Sequence, residues 1–348
     1  MKVAVDARTL QDHPLGGVGR ALANVLPLIA RDVEVELLTD ARRPPPPSAL
    51  PQHRVHGVGR RGVTWLQVGA RRWLRGFDGV FHCPFYGLPF GLRVPGVATI
   101  HDLTFEHHPE WFPRSKLTTF RLQARHAAKV AGSIITVSEH VKADIVATYR
   151  VDPERIAVAR NGVDPIFSPD RRDPARTAAL GLDRPYVVCL AGAARRNHGT
   201  AIAAWRHLRT AGHDVQLAVV GGSTTPAEAG LVALAPLPDD DWAAVLAGAT
   251  VLCYPTAYEG FGMPALEACA SGTPVVAARV GSLPEVLGPA GVWCDDLTPE
   301  SVADALAVVF AEEGTSRRTA VQAWAAAAPG WTDCAAAHLR AYSDAAHG

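Results

Sequence analysis

Residues 2–39 read KVAVDARTLQDHPLGGVGRALANVLPLIARDVEVELLT. Lys2 to Ala7 is a short apolar run, of the kind that forms a parallel strand buried on both faces. A loop with Gly16, Gly17 and Gly19 follows. A helical pattern then occupies Arg20 to Arg31, and Val33 to Thr39 is apolar again. Strand, glycine loop, helix and strand make a βαβ unit, which commits this part of the chain to a parallel sheet.

The same alternation continues outward. Pro44 to Pro47 breaks it with four prolines, read as an exposed surface loop. Gly79–His82 and Val97–Ile100 are short apolar strands, Lys116–Ala131 is a helix candidate, and Ser133–Val137 and Ile156–Ala159 are further strands. The turn Asn161-Gly162, then Pro165 and Pro169, punctuate the chain, and the domain boundary is placed here. Beyond it, strands are expected at Tyr186–Ala191, Gln216–Val220, Thr250–Tyr254 and Pro274–Ala278. Helices are expected at Thr200–Ala211, Asp239–Ala247 and Met263–Ala270. The expected fold class is therefore α/β: two doubly wound, mostly parallel sheets, in domains 1–165 and 166–328. Sheets of this kind bind ligands outside the carboxyl ends of their strands, so two of them facing one another make a natural cleft.

Size and charge agree with a two-domain globular chain. The 348 residues exceed one ordinary core, and formal net charge is zero, so no global field points to nucleic acid. Lysine occurs only at positions 2, 116, 129 and 142, leaving arginine to carry the positive charge. Arginine suits bidentate contact with phosphate. The six cysteines form no CxxC pair and several lie in apolar runs, as reduced core cysteines do; a zinc site is not expected. The N-terminal residues read as a strand and not as a signal peptide, and no apolar run is long enough to span a bilayer. The cytoplasm is the expected compartment.

The stretch with the most chemistry is Glu259-Gly-Phe-Gly-Met-Pro-Ala-Leu-Glu267. Two carboxylates flank a Gly-Phe-Gly turn that leads from a strand into a helix. Glycines let backbone N–H groups approach a ligand, a helix N-terminus favours phosphate, and a carboxylate accepts two hydroxyls of a sugar diol. A capped surface helix with an ordinary exposed glutamate is the bland alternative. Arg195-Arg196-Asn197 follows the strand Tyr186–Ala191, where two cations are placed to grip a diphosphate. A solvated surface pair is the alternative there.

Tyr258 to Glu267 resembles the paired-glutamate signature of the retaining glycosyltransferases of family 4, which have the GT-B fold. Asp6-Ala7-Arg8 with Gly16-Gly17-Val18-Gly19-Arg20, His101-Asp102-Leu103, Thr136-Val137-Ser138 and Asn161-Gly162-Val163-Asp164 extend the likeness over most of the chain. The resemblance implies that Glu267 holds the donor ribose. It implies that Glu259 contacts the donor sugar beside the backbone of Gly260, Phe261 and Gly262. It further implies that His101 lies near the reacting carbon, and that Gly16 and Gly17 bring N–H groups to the diphosphate. In the family a longer loop with an Arg-Lys pair stands where this chain has Arg195 and Arg196. Residues 329–348, with the segment Trp331–Ala346, resemble the terminal helix that crosses back onto the first domain.

Between Ala41 and Phe77 there are eight arginines and no acid, and Trp65, Leu66, Trp73 and Leu74 interleave with Arg71, Arg72 and Arg75. Residues 60–76 therefore have two readings: peripheral contact with an anionic membrane, at the inner face, or a helix whose apolar side packs on the core. Nucleic-acid binding would need more charge and exposed aromatic platforms.

The expectation is thus a retaining transferase that moves a sugar from a nucleotide-diphosphate donor to a glycan, glycolipid or small-molecule acceptor. GDP-mannose is the first choice of donor by resemblance, as is retention. No cofactor or metal is expected: Asp239-Asp240-Asp241 matches a DxD motif only formally, and at a helix start capping by Asp239 is the better reading. A nucleotide-sugar epimerase or phosphorylase on the same fold, or a non-catalytic sugar-binding partner, stays open.

Overall fold

The computed structural model describes residues 1–12, 15–46, 53–60, 62–222, 227–311 and 314–348. Pro47, the last of the four prolines, and Arg61 of the basic stretch lie outside the described residues. Backbone contacts divide the chain into two units, Met1–Gly162 with Pro329–Gly348, and Val163–Ala328.

The first unit holds seven described strands: β1 (Lys2–Asp6), β2 (Glu34–Asp40), β3 (Arg54–Val58), β4 (Val80–Cys83), β5 (Gly96–Ile100), β6 (Ser133–Thr136) and β7 (Ile156–Val158). They pair in the order β3-β2-β1-β4-β5-β6-β7, every pairing parallel. Val3, Ala4 and Val5 are fully buried, because helices cover both faces; this is why the strands read as unbroken apolar runs. The helices include α1 (Gly17–Ile29), α2 (Arg114–Val130) and α3 (Glu139–Tyr149). In α1 the buried positions Ala21, Leu22, Val25, Leu26 and Ile29 recur at helical spacing and face the sheet. Ser138 caps α3 by accepting from the Val141 amide at 3.1 Å.

The basic stretch is an irregular helical run over 62–76, with a π-helix at Trp65–Ala70. Trp65, Leu66, Ala70 and Leu74 are buried in the core, and the Trp65 indole N–H donates to the Thr39 carbonyl at 3.2 Å. These four side chains follow the second of the two readings, a helical run whose apolar side packs on the core, while Val63 and Val68 are exposed.

The second unit contains β8 (Tyr186–Leu190), β9 (Gln216–Val220), β10 (Leu231–Leu234), β11 (Val251–Tyr254), β12 (Val275–Ala278) and β13 (Gly291–Cys294), ordered β10-β9-β8-β11-β12-β13 and parallel throughout. Its helices include α4 (His198–Thr210), α5 (Asp239–Gly248), α6 (Met263–Ala270), α7 (Leu283–Leu287), α8 (Pro299–Ala311) and α9 (Gly314–Ala327). The last helix, α10 (Trp331–His347), belongs to the first unit. It buries Cys334, Ala337, Ala341 and Tyr342 there. Gly162 meets its start so closely that a Cβ would lie 2.5 Å from the Trp331 nitrogen.

Both sheets run 3-2-1-4-5-6 from one edge, the doubly wound order. The direction of winding reverses between β1 and β4 in the first unit, and between β8 and β11 in the second. These switch points are where such sheets leave a crevice at their carboxyl ends. Among the described residues no helix is long and apolar enough to cross a membrane. All six cysteines are buried and unbridged.

Candidate functional site

In the second unit the two strands at the switch point each deliver a loop. The loop after β8 carries Arg195 and Arg196; the loop after β11 carries Glu259. Backbone bonds lock the two together: the Ala257 amide donates to the Arg195 carbonyl at 2.8 Å, and the Thr256 hydroxyl to the same oxygen at 3.1 Å. Side chains then meet across this joint. Arg195 Nη2 lies 3.7 Å from Glu259 Oε1, and the Tyr254 hydroxyl donates to Glu259 Oε2 at 2.5 Å. Glu259 is 8% exposed. Burial, reinforced by the Glu259 carboxylate, pushes the Tyr254 phenol well up, so it stays a proton donor to that carboxylate. Glu259 is thereby oriented from one side by Tyr254 and from the other by Arg195.

The backbone of Glu259 is held as firmly. Its carbonyl accepts from the Ser282 amide at 3.0 Å and the Ser282 hydroxyl at 3.3 Å. Gly281, at φ +56°, lets that segment close in, since a Cβ there would collide with the Glu259 carbonyl oxygen. Gly262 ends the Gly-Phe-Gly turn at φ +94° and starts α6. Glu267 lies in the second turn of α6, 5% exposed, and its Oε2 accepts from the Trp242 indole at 2.8 Å. Arg196 Nη1 donates to the Ala191 carbonyl at 2.5 Å, while its Nε is buried with no partner among the described residues. A buried guanidinium N–H left unpaired is costly by itself and fits an anion arriving from solution.

In the first unit the glycine loop follows β1. Gly16 precedes α1 and Gly17 begins it; both are exposed, and a Cβ on either would meet nothing within 4 Å. Gly19 differs: its Cβ would lie 2.6 Å from the Thr9 carbonyl oxygen, so it is required for packing. His101 follows β5. Its Nε2–H donates to the Pro84 carbonyl at 3.0 Å, and burial lowers its pKa despite that bond. The ring is then neutral, with its Nδ1 lone pair left as an acceptor. His101, His82, His338, Thr99 and Asn161 line one small cavity of about 20 Å³, with room for about one water molecule.

The structure thus brings Arg195, Arg196 and Glu259 together in the second unit; Gly260, Phe261 and Gly262 lead from Glu259 into α6, which carries Glu267 bonded to Trp242. Gly16, Gly17 and His101 lie at or beside strand ends of the first. Tyr254, Trp242 and Ser282 complete the second-unit set and were absent from the sequence reading. α5 starts at Asp239 with Pro238 in the N-cap position, so Asp239 is the first residue of the helix and not its N-cap. Asp240 and Asp241 pair with Arg171 and Arg176, at 3.5 and 2.5 Å. Those ion pairs hold two of the three acids of the run.

Comparison with known proteins agrees with this geometry. Residues 15–167 match the family model described as Glycosyltransferase Family 4, and residues 184–312 that described as Glycosyl transferases group 1. The MMP α-(1→4)-mannosyltransferase of Mycolicibacterium hassiacum is 34% identical over 239 residues, covering 63% of this chain and 56% of that protein. The O-antigen chain mannosyltransferase B of Escherichia coli is 29% identical, covering 63% of this chain and 61% of that protein. The chain thus spans a little over half the length of these curated relatives. Among solved structures, Anabaena Alr3699/HepE in complex with UDP-glucose superposes with a TM-score of 0.75 at 17% identity, covering 99% of both chains.

Proposed function

We propose, from the premise that this chain belongs to glycosyltransferase family 4 and has its GT-B fold, that it transfers a sugar from a nucleotide-diphosphate donor to an acceptor hydroxyl with retention at the anomeric carbon. The observation that carries the reading is the buried Glu259 carboxylate, fixed by Tyr254 and Arg195 at the switch point and followed eight residues later by the buried Glu267.

On this reading Glu267, steadied by Trp242, accepts the ribose hydroxyls. Glu259 and the Gly260–Gly262 backbone take the donor sugar. Arg195 and Arg196 bind the diphosphate. Departure of the nucleoside diphosphate breaks the bond from C1 to the phosphate oxygen, which keeps the electron pair. The two cations stabilise that developing charge. The acceptor oxygen bonds to C1 from the same face, and its proton passes to the departing phosphate. His101, neutral and accepting at Nδ1, holds a sugar hydroxyl. The cationic work falls to arginine, so the mechanism is proposed to need no metal.

Mannose from GDP-mannose is the proposed donor, favoured by the two mannosyltransferases among the relatives; the UDP-glucose complex of the Anabaena protein supplies the competing candidate. The test is to incubate the protein with each donor in EDTA, with water or glycans as acceptor, and follow nucleoside diphosphate release. Release from GDP-mannose, lost in Glu267→Ala and giving an α product by NMR, is expected. Turnover of a donor into an isomer without diphosphate release would replace transfer with epimerisation.

A further inference from the structure

In the first unit several arginines are held by carboxylates. Arg8 pairs with Asp6, Arg42 with Asp40, Arg43 with Asp12, and Arg121 and Arg125 with Glu106. Arg71, Arg75 and Arg93 are different. Among the described residues none of them has a hydrogen bond, ion pair or ring contact, yet all three line one small cavity with Leu74, Gly91 and Leu92.

The chain builds this convergence. Leu74 is 2% exposed and anchors its segment in the core, so Arg71 and Arg75, four residues apart on a helical run, project from one side. Gly91, at φ +66°, turns the opposing loop, and a Cβ on it would come within 3.1 Å of Arg71 Nη2. The bare backbone there lets the guanidinium lie against the loop that presents Arg93. Three like charges around one concavity, with no carboxylate lining it, repel one another until an anion is present.

We propose that this pocket binds the phosphate group of a phosphorylated ligand, at a site separate from the donor residues. Three guanidinium forks supply more donors than a carboxylate's two oxygens accept; the terminal oxygens of a phosphate match them. The cavity, about 20 Å³, has room for one water-sized group, so one phosphate oxygen enters it while the rest of the phosphate stays at its mouth among the guanidinium groups. The phosphate belongs either to a small soluble molecule or to an anionic lipid headgroup.

The experiment titrates the full-length chain with inorganic phosphate by calorimetry and floats it with phosphatidylglycerol or phosphatidylcholine vesicles. Arg71→Gln/Arg75→Gln is compared with Arg196→Gln, which removes a donor-site cation and leaves this pocket intact. Phosphate affinity falling about tenfold in the double variant, and persisting in Arg196→Gln, assigns a soluble ligand. Flotation with phosphatidylglycerol alone, lost in the double variant, assigns the headgroup. Arg93→Gln, an exposed loop change, repeats the comparison should the double variant fail to fold. Equal binding in all variants, or binding of neither probe by the natural chain, overturns the site.

Discussion

At the scale of single residues, the second-unit site is one carboxylate held in place by its neighbours. Tyr254→Phe keeps the buried ring and removes the hydroxyl that orients Glu259. Loss of a hydrogen bond to a charged group costs about 1.5–3 kcal/mol, so kcat is expected to fall about tenfold or more while the donor KM changes little. Steady-state kinetics check this; an unchanged kcat would remove Tyr254 from the account. Glu259 and Glu267 were legible in the sequence because both carboxylates and the glycine turn lie within nine consecutive residues. Tyr254 and Trp242 were not, because each reads as an ordinary apolar residue of its own strand or helix. Only the fold shows the Tyr254 hydroxyl and the Trp242 indole reaching the two carboxylates.

At the scale of elements, two glycines make opposite predictions. Gly281 combines a positive φ with a collision on the Glu259 carbonyl, so Gly281→Ala should destabilise the chain by about 2 kcal/mol in denaturant titration. Gly16 has an ordinary φ of −71° and open space around it, so Gly16→Ala should alter stability by under about 0.5 kcal/mol. A large stability loss in Gly16→Ala would show that the glycine serves the fold. Most strands were legible, since a parallel strand covered on both faces is a plain apolar run. The edge strand β3 was missed because its residues, Arg54-Val-His-Gly-Val58, are largely exposed and carry no such pattern. The stretch at 62–76 carried an amphipathic pattern that fits either a core or a membrane; the fold shows Trp65 and Leu74 buried in the core.

At the scale of the whole molecule, the first unit is built to be acid-sensitive. Burial lowers the pKa of His82, His101 and His338, the last to about 4. His82 is fixed between the Thr99 hydroxyl at 2.8 Å and the Tyr342 hydroxyl at 2.9 Å, which ties α10 to the sheet. A histidine whose folded pKa is depressed contributes stability in full above its unfolded value near 6.5 and loses it as pH falls toward the folded value. His338 alone corresponds to on the order of 3 kcal/mol over that interval. Melting temperature should therefore fall steeply from pH 6.5 to 4, and His338→Gln should flatten that slope. The two-unit division was legible from the repeated alternation of strands and helices. What a single sequence left open was the identity of the donor, because base and sugar are read by backbone and side-chain contacts without a spacing of their own. The claim on which all the rest stands is that the second unit holds a nucleoside diphosphate through Glu267 and the two arginines. Calorimetric titration of GDP and UDP in EDTA tests it most directly. One nucleotide binding to the natural chain, and at least about tenfold more weakly to Glu267→Ala, is the predicted result. Binding of neither, or equal binding to both forms of the protein, would contradict it.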